Sequence, residues 1–379
     1  MASAKGFVAD LLKKADIEIG GTRPQDITVR DERLYNRVLR YGTLGLGEAY
    51  MDGWWDANQL DIFIATVLRA HLEKSVEINL ASVGAIAKAW LVNLQSSSRA
   101  FKVGETHYDL GNDLYKAMLD KRIVYTCGYW KDATTLDEAQ EAKLDLVCKK
   151  IGLKKGDRIL DIGCGWGSFA KFAAERYGAS VVGINNSKEQ SALARERCAG
   201  LPVEIRVQDY REVIPSTSLG AGEQFDHIVS LGMFEHVGVK NYRAYFEVAN
   251  RCLKDDGIFL LHTIGDIVSR TTSDPWINKH IFPGGVIPSV AQIGKAIEGL
   301  FVMEDWHNFG PDYDKTLMAW FKNFDAAWPT LREKYSDRFY RMWKYYLLTC
   351  AGAFRARPTQ LWQIVLSKNG IKGGYTSVR

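Results

Sequence analysis

The sequence predicts an α/β protein with a Rossmann-like, mostly parallel sheet and a small helical domain before it. Three observations in the 379 residues point this way. From about residue 105 onward, short apolar runs alternate with helical patterns, which is typical of a parallel sheet. The earlier part carries helical periodicity interrupted by glycines, and Ser96–Ser98 is the clearest linker signal. We therefore expect a helical domain at 1–98, a linker near 96–104 and an α/β domain at 105–379.

The composition is that of a globular protein, with 46% hydrophobic and 25% charged residues. It excludes disorder, collagen-like repeats and coiled coil as descriptions of the whole chain. No apolar run approaches the ~18 residues that cross a bilayer, and charged side chains interrupt the first 21 residues where a secretory signal would need an apolar run. We therefore expect a cytoplasmic protein. Its six scattered cysteines form no C-x-x-C pair, so free thiols and no metal site are expected.

In the N-terminal part, one helix is predicted over Phe7–Ala15 and another between Asp31 and Gly42. A third helix carries an apolar stripe at helical spacing, made of Leu60, Phe63, Ile64, Val67 and Leu68. Trp54 and Trp55 stand next to each other close to several glycines. Two interpretations of this pair stay open, an anchor in the core of a small helical domain and a lip that contacts lipid.

In the α/β part, Thr135 and Glu138 form a capping box that predicts the start of a helix. The first buried strand is predicted over Arg158–Ile162 and is followed by a glycine-rich turn and a helix. The later strands are predicted over Ala179–Ile184, Glu204–Val207, Phe225–Ser230 and Ile258–His262. The Gly- and Ser-rich stretch 216–223 is interpreted as a surface insertion.

The turn after the first strand holds Gly163, Gly165 and Gly167, with Cys164 among them and Asp161 two residues before. Glycines let the backbone approach a ligand closely, and the following helix offers the positive end of its dipole. A loop that cradles pyrophosphate would read G-x-G-x-x-G. The spacing here instead resembles motif I of the class I methyltransferases, which implies that these five residues bind the aminoacyl part of S-adenosylmethionine.

Two further pairs follow the next strands of the sheet. Methyltransferases of that class usually carry an acid after the second strand, whereas this chain has Asn185 and Gln190, which we expect to hydrogen-bond the ribose without charge. Asp209 and Tyr210 follow the third strand, where they could meet the amino group and the face of adenine. Asp209 could also be a turn or cap residue.

Motifs along nearly the whole chain, in order, resemble the cyclopropane fatty acid synthase family and its mycolic acid relatives. They are Leu44–Trp55, His107–Asp113, Tyr125–Trp130, Met233–Gly238, Leu261–Gly265, Trp306–Tyr313 and Cys350–Arg355. The resemblance implies methyl transfer from S-adenosylmethionine to the cis double bond of phospholipid acyl chains, followed by ring closure. It also implies that Tyr125 and Thr126 contact the cofactor.

An alkene is a weak nucleophile, and its methylation leaves a cation that must be sheltered from water and then deprotonated. In the family a bound bicarbonate is understood to be the base. The resemblance implies that it is held by the side chains of Glu235, His262 and Tyr313 and by the backbone of Cys127 and Ile264. Its one O–H suits the acceptor Glu235, and its oxygens suit the donors.

Each of these residues also has a structural interpretation. Glu235 could be an acid at a helix start, His262 a satisfied core histidine and Tyr313 part of ordinary turn packing. Cys127 is expected to act through its backbone because no covalent step is required. Cys350 has been suggested as an active-site residue in the family, but it lies in a segment that is predicted to be a packed helix.

Residues 331–379 hold ten basic and two acidic side chains, with aromatic residues between them. Rings sit in this way at the headgroup level of a membrane surface, and the basic field is small for nucleic acid. We therefore expect docking to anionic phospholipid at the inner face of the membrane, through this surface and the helical domain, and no nucleic-acid partner. A solvated helical face is the alternative, and the sequence leaves a homodimer open.

Other activities also stay open. A hydride shift in the cation would give a methyl-branched chain instead of a ring. A small-amine N-methyltransferase could share the catalytic domain, although it needs no lipid-docking domain. A lipid-binding protein without activity is the third alternative.

Overall fold

The computed structural model describes residues 3–72, 111–213 and 224–379. Contacts within the chain group it into two compact units. The first comprises Met1–Val92, Thr271–Pro283 and Tyr313–Thr359, and the second Asn93–Arg270, Gly284–Asp312 and Gln360–Arg379. This grouping differs from the predicted division at 98 and 105, because two later segments contact the N-terminal helices. The predicted linker near 96–104, residues 107–110 of one family motif and the predicted insertion at 216–223 lie outside the described residues.

The first unit consists mainly of helices. They are Ala4–Lys13, Arg33–Met51, Leu60–Arg69, Pro275–His280, Asp337–Ala356 and most of Pro311–Leu331. Two short strands, β1 (Ile27–Val29) and β2 (Trp55–Ala57), pair antiparallel beside them. The second helix continues past its predicted end, but Gly42 at φ 56° interrupts it with a kink. Close packing holds the unit together, since a side chain at Gly352 would clash with Ile64.

Trp55 is a core anchor of the first unit. Its ring is fully buried, and its indole N–H donates to the carbonyl of Leu46 at 3.0 Å. The rings of Trp55 and Tyr50 also pack edge-to-face. Trp54 is half-buried, with the guanidinium of Arg33 over its ring at 4.5 Å. The structure therefore supports the core interpretation of the tryptophan pair and gives no support to the lipid-contacting lip.

The basic C-terminal region is also less exposed to solvent than its charge predicts. Several of its arginines form ion pairs with acids of their own unit: Arg338 with Asp52, Arg341 with Asp56, Arg355 with Asp61 and Asp314, and Arg379 with Asp305. Trp343, Tyr345 and Tyr346 are buried. Docking of this surface to lipid stays a prediction, with less exposed positive charge and fewer exposed rings than the sequence indicated.

The second unit contains the predicted mostly parallel sheet, in the order β5-β4-β3-β6-β7-β9-β8. Its strands are β3 (Arg158–Ile162), β4 (Ser180–Asn185), β5 (Val203–Val207), β6 (Phe225–Leu231), β7 (Leu253–Asp266), β8 (Val302–Asn308) and β9 (Thr359–Ser367). Strands β3 to β7 form parallel pairs, and β8 pairs antiparallel with β9. The five predicted strands are confirmed, while β8 and β9 were not predicted.

Helices cover this sheet on both faces, as a parallel sheet requires. They are Asn112–Met118, Leu136–Lys150, Ser168–Tyr177, Lys188–Arg197, Tyr242–Cys252 and Val290–Ile297. The capping box of Thr135 and Glu138 is present. Adjacent strand residues enter different core clusters, Ile159 with Phe169 and Leu160 with Phe246. Because the carboxyl ends of parallel strands meet at one edge, the loops after β3, β4, β6 and β7 come together there.

Among the described residues, no helix has both the length and the hydropathy that a membrane span needs. The six cysteines are free thiols.

Candidate active site

The glycine loop after β3 has a backbone conformation that residues with a side chain rarely adopt. Gly163, Gly165 and Gly167 all have positive φ, at 86°, 53° and 74°. A Cβ at Gly163 would lie 2.5 Å from Cβ of Met233, in the loop after β6. The amide of Gly163 donates to the carbonyl of Ile184 at 3.0 Å, which folds the loop onto the end of β4. The predicted close-approach loop is therefore confirmed as a backbone feature.

Cys164 lies inside this loop and serves packing. A Cβ at Gly183 of β4 would approach its side chain to 2.9 Å, so the loop and the strand are in direct contact. Burial raises the pKa of the Cys164 thiol well above its usual value. A neutral buried thiol suits a role in loop shape, and contact of Cys164 with the cofactor stays a prediction.

Asp161 lies near the carboxyl end of β3, one residue before Ile162, and is only 2% exposed. Its Oδ2 has no hydrogen-bond partner among the described residues. Burial raises the pKa of this carboxyl to about 7, and the nearby ammonium of Lys143 partly opposes the rise. A buried acceptor without a donor costs about 1–3 kcal/mol, so this oxygen is well suited to receive a cationic or donating ligand group.

Thr126 is held in place from the Leu136–Lys150 helix. Lys143 Nζ donates to Thr126 Oγ1 at 2.8 Å, and Gln140 Nε2 donates to the Thr126 carbonyl at 2.7 Å. Both side chains are fully buried, and burial lowers the pKa of Lys143 to about 8. Sequence reasoning missed both residues. The only signal was that both stand one helical turn before apolar residues of the buried face, Leu144 and Val147.

Tyr125 belongs to an aromatic cluster beside the glycine loop. Its ring makes an edge contact with Tyr115 at 5.2 Å between centroids, and Tyr115 in turn contacts Trp166 at 4.8 Å. The indole N–H of Trp166, from the loop itself, donates to Asn112 Oδ1 at 2.9 Å. Two of the family motifs and the glycine loop thus meet within the second unit.

Asn185 and Gln190 brace the loop from β4. Asn185 Nδ2 donates to the carbonyl of Gly165 at 3.2 Å and to Gln190 Oε1 at 3.0 Å. The amide of Ser187 donates to Asn185 Oδ1. The two predicted ribose ligands are therefore adjacent at the expected strand end, and their contact with ribose stays a prediction.

Asp209 fits its interpretation as a cap residue, and Tyr210 packs in the core. Asp209 is fully buried and caps a short 3₁₀ turn. Both its oxygens accept from Arg211, at 2.7–2.9 Å. The Tyr210 ring packs edge-to-face on Tyr245 in the core. Contact of this pair with adenine stays a prediction.

Glu235 lies in the turn that follows β6, and it is buried. Its Oε1 accepts from the amide of Ile264 at 2.7 Å, while Oε2 has no partner among the described residues. Burial raises the pKa of Glu235 to about 7, against the lowering effect of the Ile264 amide. Ile264 was predicted to hold bicarbonate through its backbone. In this structure its N–H donates to Glu235, because a buried carboxyl needs a donor, and contact of the Ile264 backbone with bicarbonate stays a prediction.

His262 precedes Ile264 by two residues on β7 and is 1% exposed. Gln363 Nε2, on β9, is 3.3 Å from Nδ1, while Nε2 of the histidine has no partner among the described residues. Burial, followed by the charges of Lys143 and Lys150, lowers the pKa of His262 well below its usual value. His262 is therefore a neutral imidazole and only partly satisfied, in contrast to the core histidine of the structural interpretation.

The remaining predicted catalytic residues divide between the units. Cys127 is buried in the second unit, and its thiol donates to the carbonyl of Gly128 at 3.1 Å; a role for its backbone stays a prediction. Tyr313 belongs to the first unit, where its ring stacks on Phe354 at 4.5 Å. Cys350 lies on the predicted packed helix of that unit. Burial raises the pKa of its thiol to about 12, so it does not provide a thiolate near neutral pH.

Sequence reasoning also missed the polar residues around His262 on the last two strands. Gln363 of β9 stands opposite His307 of β8, and His307 Nδ1 is 3.0 Å from Nζ of the buried Lys150. Gln363 could have been found as one polar residue inside an apolar run, had β9 been predicted. No group of three or more His, Cys, Asp or Glu side chains in the described ranges could hold a metal ion.

Known proteins match this chain both in sequence and in structure. A family model described as mycolic acid cyclopropane synthetase matches residues 95–364. The chain is 55% identical, over 370 residues, to the cyclopropane-fatty-acyl-phospholipid synthase of Escherichia coli (strain K12), covering 98% of this chain and 94% of that protein. It is 31% identical to the tuberculostearic acid methyltransferase of Mycobacterium tuberculosis, covering 90% and 82%.

A similar solved structure is that of the mycolic acid cyclopropane synthase CmaA1 complexed with SAH and CTAB. It superposes with a TM-score of 0.65 at 32% identity, covering 71% of this chain and 98% of that chain.

Proposed function

The chain belongs to the mycolic acid cyclopropane synthetase family, and we propose that it converts cis double bonds in phospholipid acyl chains into cyclopropane rings. It is an S-adenosylmethionine-dependent methyltransferase. The observation that carries the proposal is the pair of buried, partly unsatisfied groups beside the sheet edge, Glu235 Oε2 and His262 Nε2. A methyl transfer alone needs neither, whereas ring closure needs a place for a base.

The cofactor brings a methyl group on a cationic sulfur, which the π electrons of the double bond can attack. We assign its aminoacyl end to the glycine loop and to Asp161. Its ammonium group is a donor that suits the unsatisfied Oδ2 of Asp161. Since the pKa of this carboxyl is about 7, ammonium binding would favour its ionised form. The Tyr125–Tyr115 cluster and Thr126 line the same loop region and fit the role predicted for them.

Bicarbonate, when bound, would supply a base for the proton that the new methyl group loses as the ring closes. The residues present fit such an anion. His262 is neutral, so its protonated nitrogen can donate to an anionic oxygen, and Glu235 Oε2 can accept an O–H. The Ile264 amide fixes Glu235 by its other oxygen. Participation of Tyr313 and of the Cys127 backbone rests on the family resemblance.

Aromatic rings near His262 suit the passing positive charge on the acyl chain. Phe309 makes an edge contact with His262 at 5.9 Å, and Tyr129 contacts Phe309 at 5.4 Å. Each ring face can stabilise a desolvated cation by about 1 kcal/mol or more. Phe309 is buried, which also keeps water from the cation.

The acyl chains of a bilayer must reach this site, and we propose that the loop after β7 contacts the lipid. Ile267, Val268 and Val290 are 69%, 50% and 54% exposed. The hydroxyls of Ser269 and Ser289 lie 2.7 Å apart, which joins the two segments that carry these residues. An exposed apolar lip begins three residues after Ile264, so membrane contact would place lipid next to the site.

A vesicle assay tests the proposal. Purified protein and S-adenosylmethionine are incubated with vesicles of anionic and zwitterionic phospholipids that carry cis-monounsaturated chains. The masses of the acyl chains are then measured by mass spectrometry. We expect a gain of one methylene per double bond. A methyl-branched alkene, formed if the cation loses a different proton, has the same mass, so the ¹H NMR spectrum of the recovered chains separates the two: ring protons without vinylic protons identify the cyclopropane. Unchanged chains during cofactor turnover would refute the substrate.

The lip is tested with the variant Ile267→Ser/Val268→Ser. We expect weaker co-sedimentation with vesicles, unchanged cofactor affinity and unchanged thermal stability. The variant Val302→Ser/Met303→Ser is the matched control, because these exposed apolar residues stand at the start of β8. Equal vesicle binding by both variants and the wild type would remove the lip from the proposal.

A further inference from the structure

Gln363 is a polar side chain in the middle of an apolar strand. The segment Leu361–Leu366 of β9 is otherwise composed of Leu, Trp, Ile and Val, and Gln363 has no exposed surface. Its Oε1 lacks a partner among the described residues. A buried amide that is only half satisfied costs stability relative to an apolar residue of similar size. Packing therefore does not explain the choice of glutamine at this position.

The contact that Gln363 makes is with the candidate active-site histidine. Its Nε2 is 3.3 Å from His262 Nδ1. An amide nitrogen can only donate, so Nδ1 must accept. A neutral imidazole that accepts at Nδ1 carries its proton on Nε2, which is the nitrogen that the structure leaves without a partner.

We propose that Gln363 is a positioning residue that holds His262 in its Nε2–H tautomer, so that the histidine donates to the anionic base. This inference rests on the proposed function. With the proton on Nδ1 instead, the lone pair of Nε2 would repel an anionic oxygen and compete for the O–H that Glu235 accepts. The tautomer thus decides which oxygen of the anion stays free to take the proton from the acyl chain.

The charged neighbours of His262 agree with a neutral ring. Lys143 and Lys150, both from the helix Leu136–Lys150, disfavour the imidazolium. On the β8 side, His307 stands opposite Gln363 and contacts Lys150. Burial lowers the pKa of His307 to about 3 and that of Lys150 to about 7. Glu235, after β6, is the acid of the same site, and a carboxylate in place of Gln363 would change this balance.

The direct test is the ¹⁵N NMR spectrum of the histidine side chains in the wild-type enzyme, with His262 assigned from the spectrum of His262→Asn. We expect His262 to be neutral and protonated on Nε2 at neutral pH. A spectrum that shows Nδ1–H or an imidazolium would overturn the inference, and this measurement does not depend on whether a Gln363 variant folds.

The variant Gln363→Glu reverses the polarity of the contact. Its carboxylate accepts from Nδ1–H, which favours the other tautomer and raises the pKa of His262. We expect kcat to fall on the order of 10²-fold or more at pH 8, with unchanged affinity for S-adenosylmethionine. As pH falls through the raised pKa, the imidazolium again donates from Nε2, so activity should partly recover. A merely structural role would give no such recovery.

Gln360→Glu is the matched control, because Gln360 is also buried on β9 and its Oε1 accepts from Asn308 Nδ2. Gln363→Leu removes the hydrogen bond to His262 without reversing its polarity, and we expect kcat to fall about tenfold. Equal losses in Gln363→Glu and Gln360→Glu, or a larger loss in Gln363→Leu than in Gln363→Glu, would overturn the inference. Failure of the proposed function is distinct, since the wild type would then make no ring product.

Discussion

Asp161 and Glu235 are two buried carboxyls at the same edge of the sheet, Asp161 on β3 one residue before its end and Glu235 in the turn after β6. Burial raises the pKa of both to about 7, and each has one oxygen without a partner among the described residues. Their surroundings differ. Asp161 has an ammonium nearby, that of Lys143, whereas Glu235 is bonded to a neutral amide, that of Ile264.

This difference separates two kinds of ligand. A cation near Asp161 lowers its pKa and keeps it partly ionised at neutral pH, which suits a carboxylate that receives an ammonium group. Glu235 is fixed in orientation, and no cation among the described residues stabilises its charge, so it can hold or accept a proton as the ligand requires. We therefore propose that Asp161 binds the cofactor and that Glu235 accepts and releases a proton of the bound anion.

Replacing Glu235 should have the largest effect on activity of the substitutions considered. In Glu235→Gln the amide can still contact Ile264, but Oε2 as an acceptor for an O–H is replaced by a donor. We expect kcat to fall about 10²- to 10⁴-fold, with the affinity for S-adenosylmethionine unchanged in calorimetry. Glu247→Gln is the control, because Glu247 forms an exposed ion pair with Arg243. Near-normal ring formation by Glu235→Gln would show that this carboxyl takes no part in proton transfer.

Replacing Asp161 should affect binding instead of turnover. In Asp161→Asn the loop keeps its shape but loses the carboxylate, and we expect the cofactor Kd to rise about tenfold to a hundredfold. Because ammonium binding needs the ionised carboxyl and its pKa is about 7, wild-type affinity should increase as pH rises from 6 to 8.

That pH dependence should disappear in Asp161→Asn. Isothermal titration at several pH values measures both effects, and Asp157→Asn, at the other end of β3, is the control. An affinity that stays the same in Asp161→Asn would place the ammonium elsewhere.

The architecture of the second unit could be predicted from the sequence. The polar contacts that hold its buried side chains could not. The five parallel strands and the glycine loop follow from local pattern, because apolar runs and glycine spacing are properties of consecutive residues. Strand β8 was missed because Glu304, Asp305 and His307 interrupt its apolar character. The partners Ile264–Glu235 and Gln363–His262 join residues that are far apart in the chain, so no local pattern could predict them.

Replacing Lys143 should have a smaller effect, which sharpens the comparison between the two carboxyls. Lys143→Met removes the ammonium but keeps an apolar chain of similar length, so the pKa of Asp161 should rise while that of Glu235 stays the same. We expect the cofactor Kd to rise about threefold to tenfold at pH 7 and to approach the wild-type value at higher pH, where Asp161 is ionised in both proteins.

The free energy of unfolding should change little or increase, since burial of Lys143, which forms no ion pair within the described ranges, costs desolvation. Lys149→Met, on the exposed face of the same helix, is the control. A weakened affinity that does not recover at high pH would mean that Lys143 acts only through its hydrogen bond to Thr126.

The smallest effect is expected at a third titratable group, the partly buried thiol of Cys350 in the first unit. Its pKa of about 12 keeps it neutral, so it differs from both carboxyls, which titrate near neutral pH. In Cys350→Ala we expect activity within about twofold of the wild type and a loss of about 1 kcal/mol in stability from the small cavity. Steady-state assays and thermal unfolding measure these values, and Cys148→Ala, at a buried thiol, is the comparison. A large loss of kcat in Cys350→Ala with normal folding would instead assign this thiol a part in the reaction.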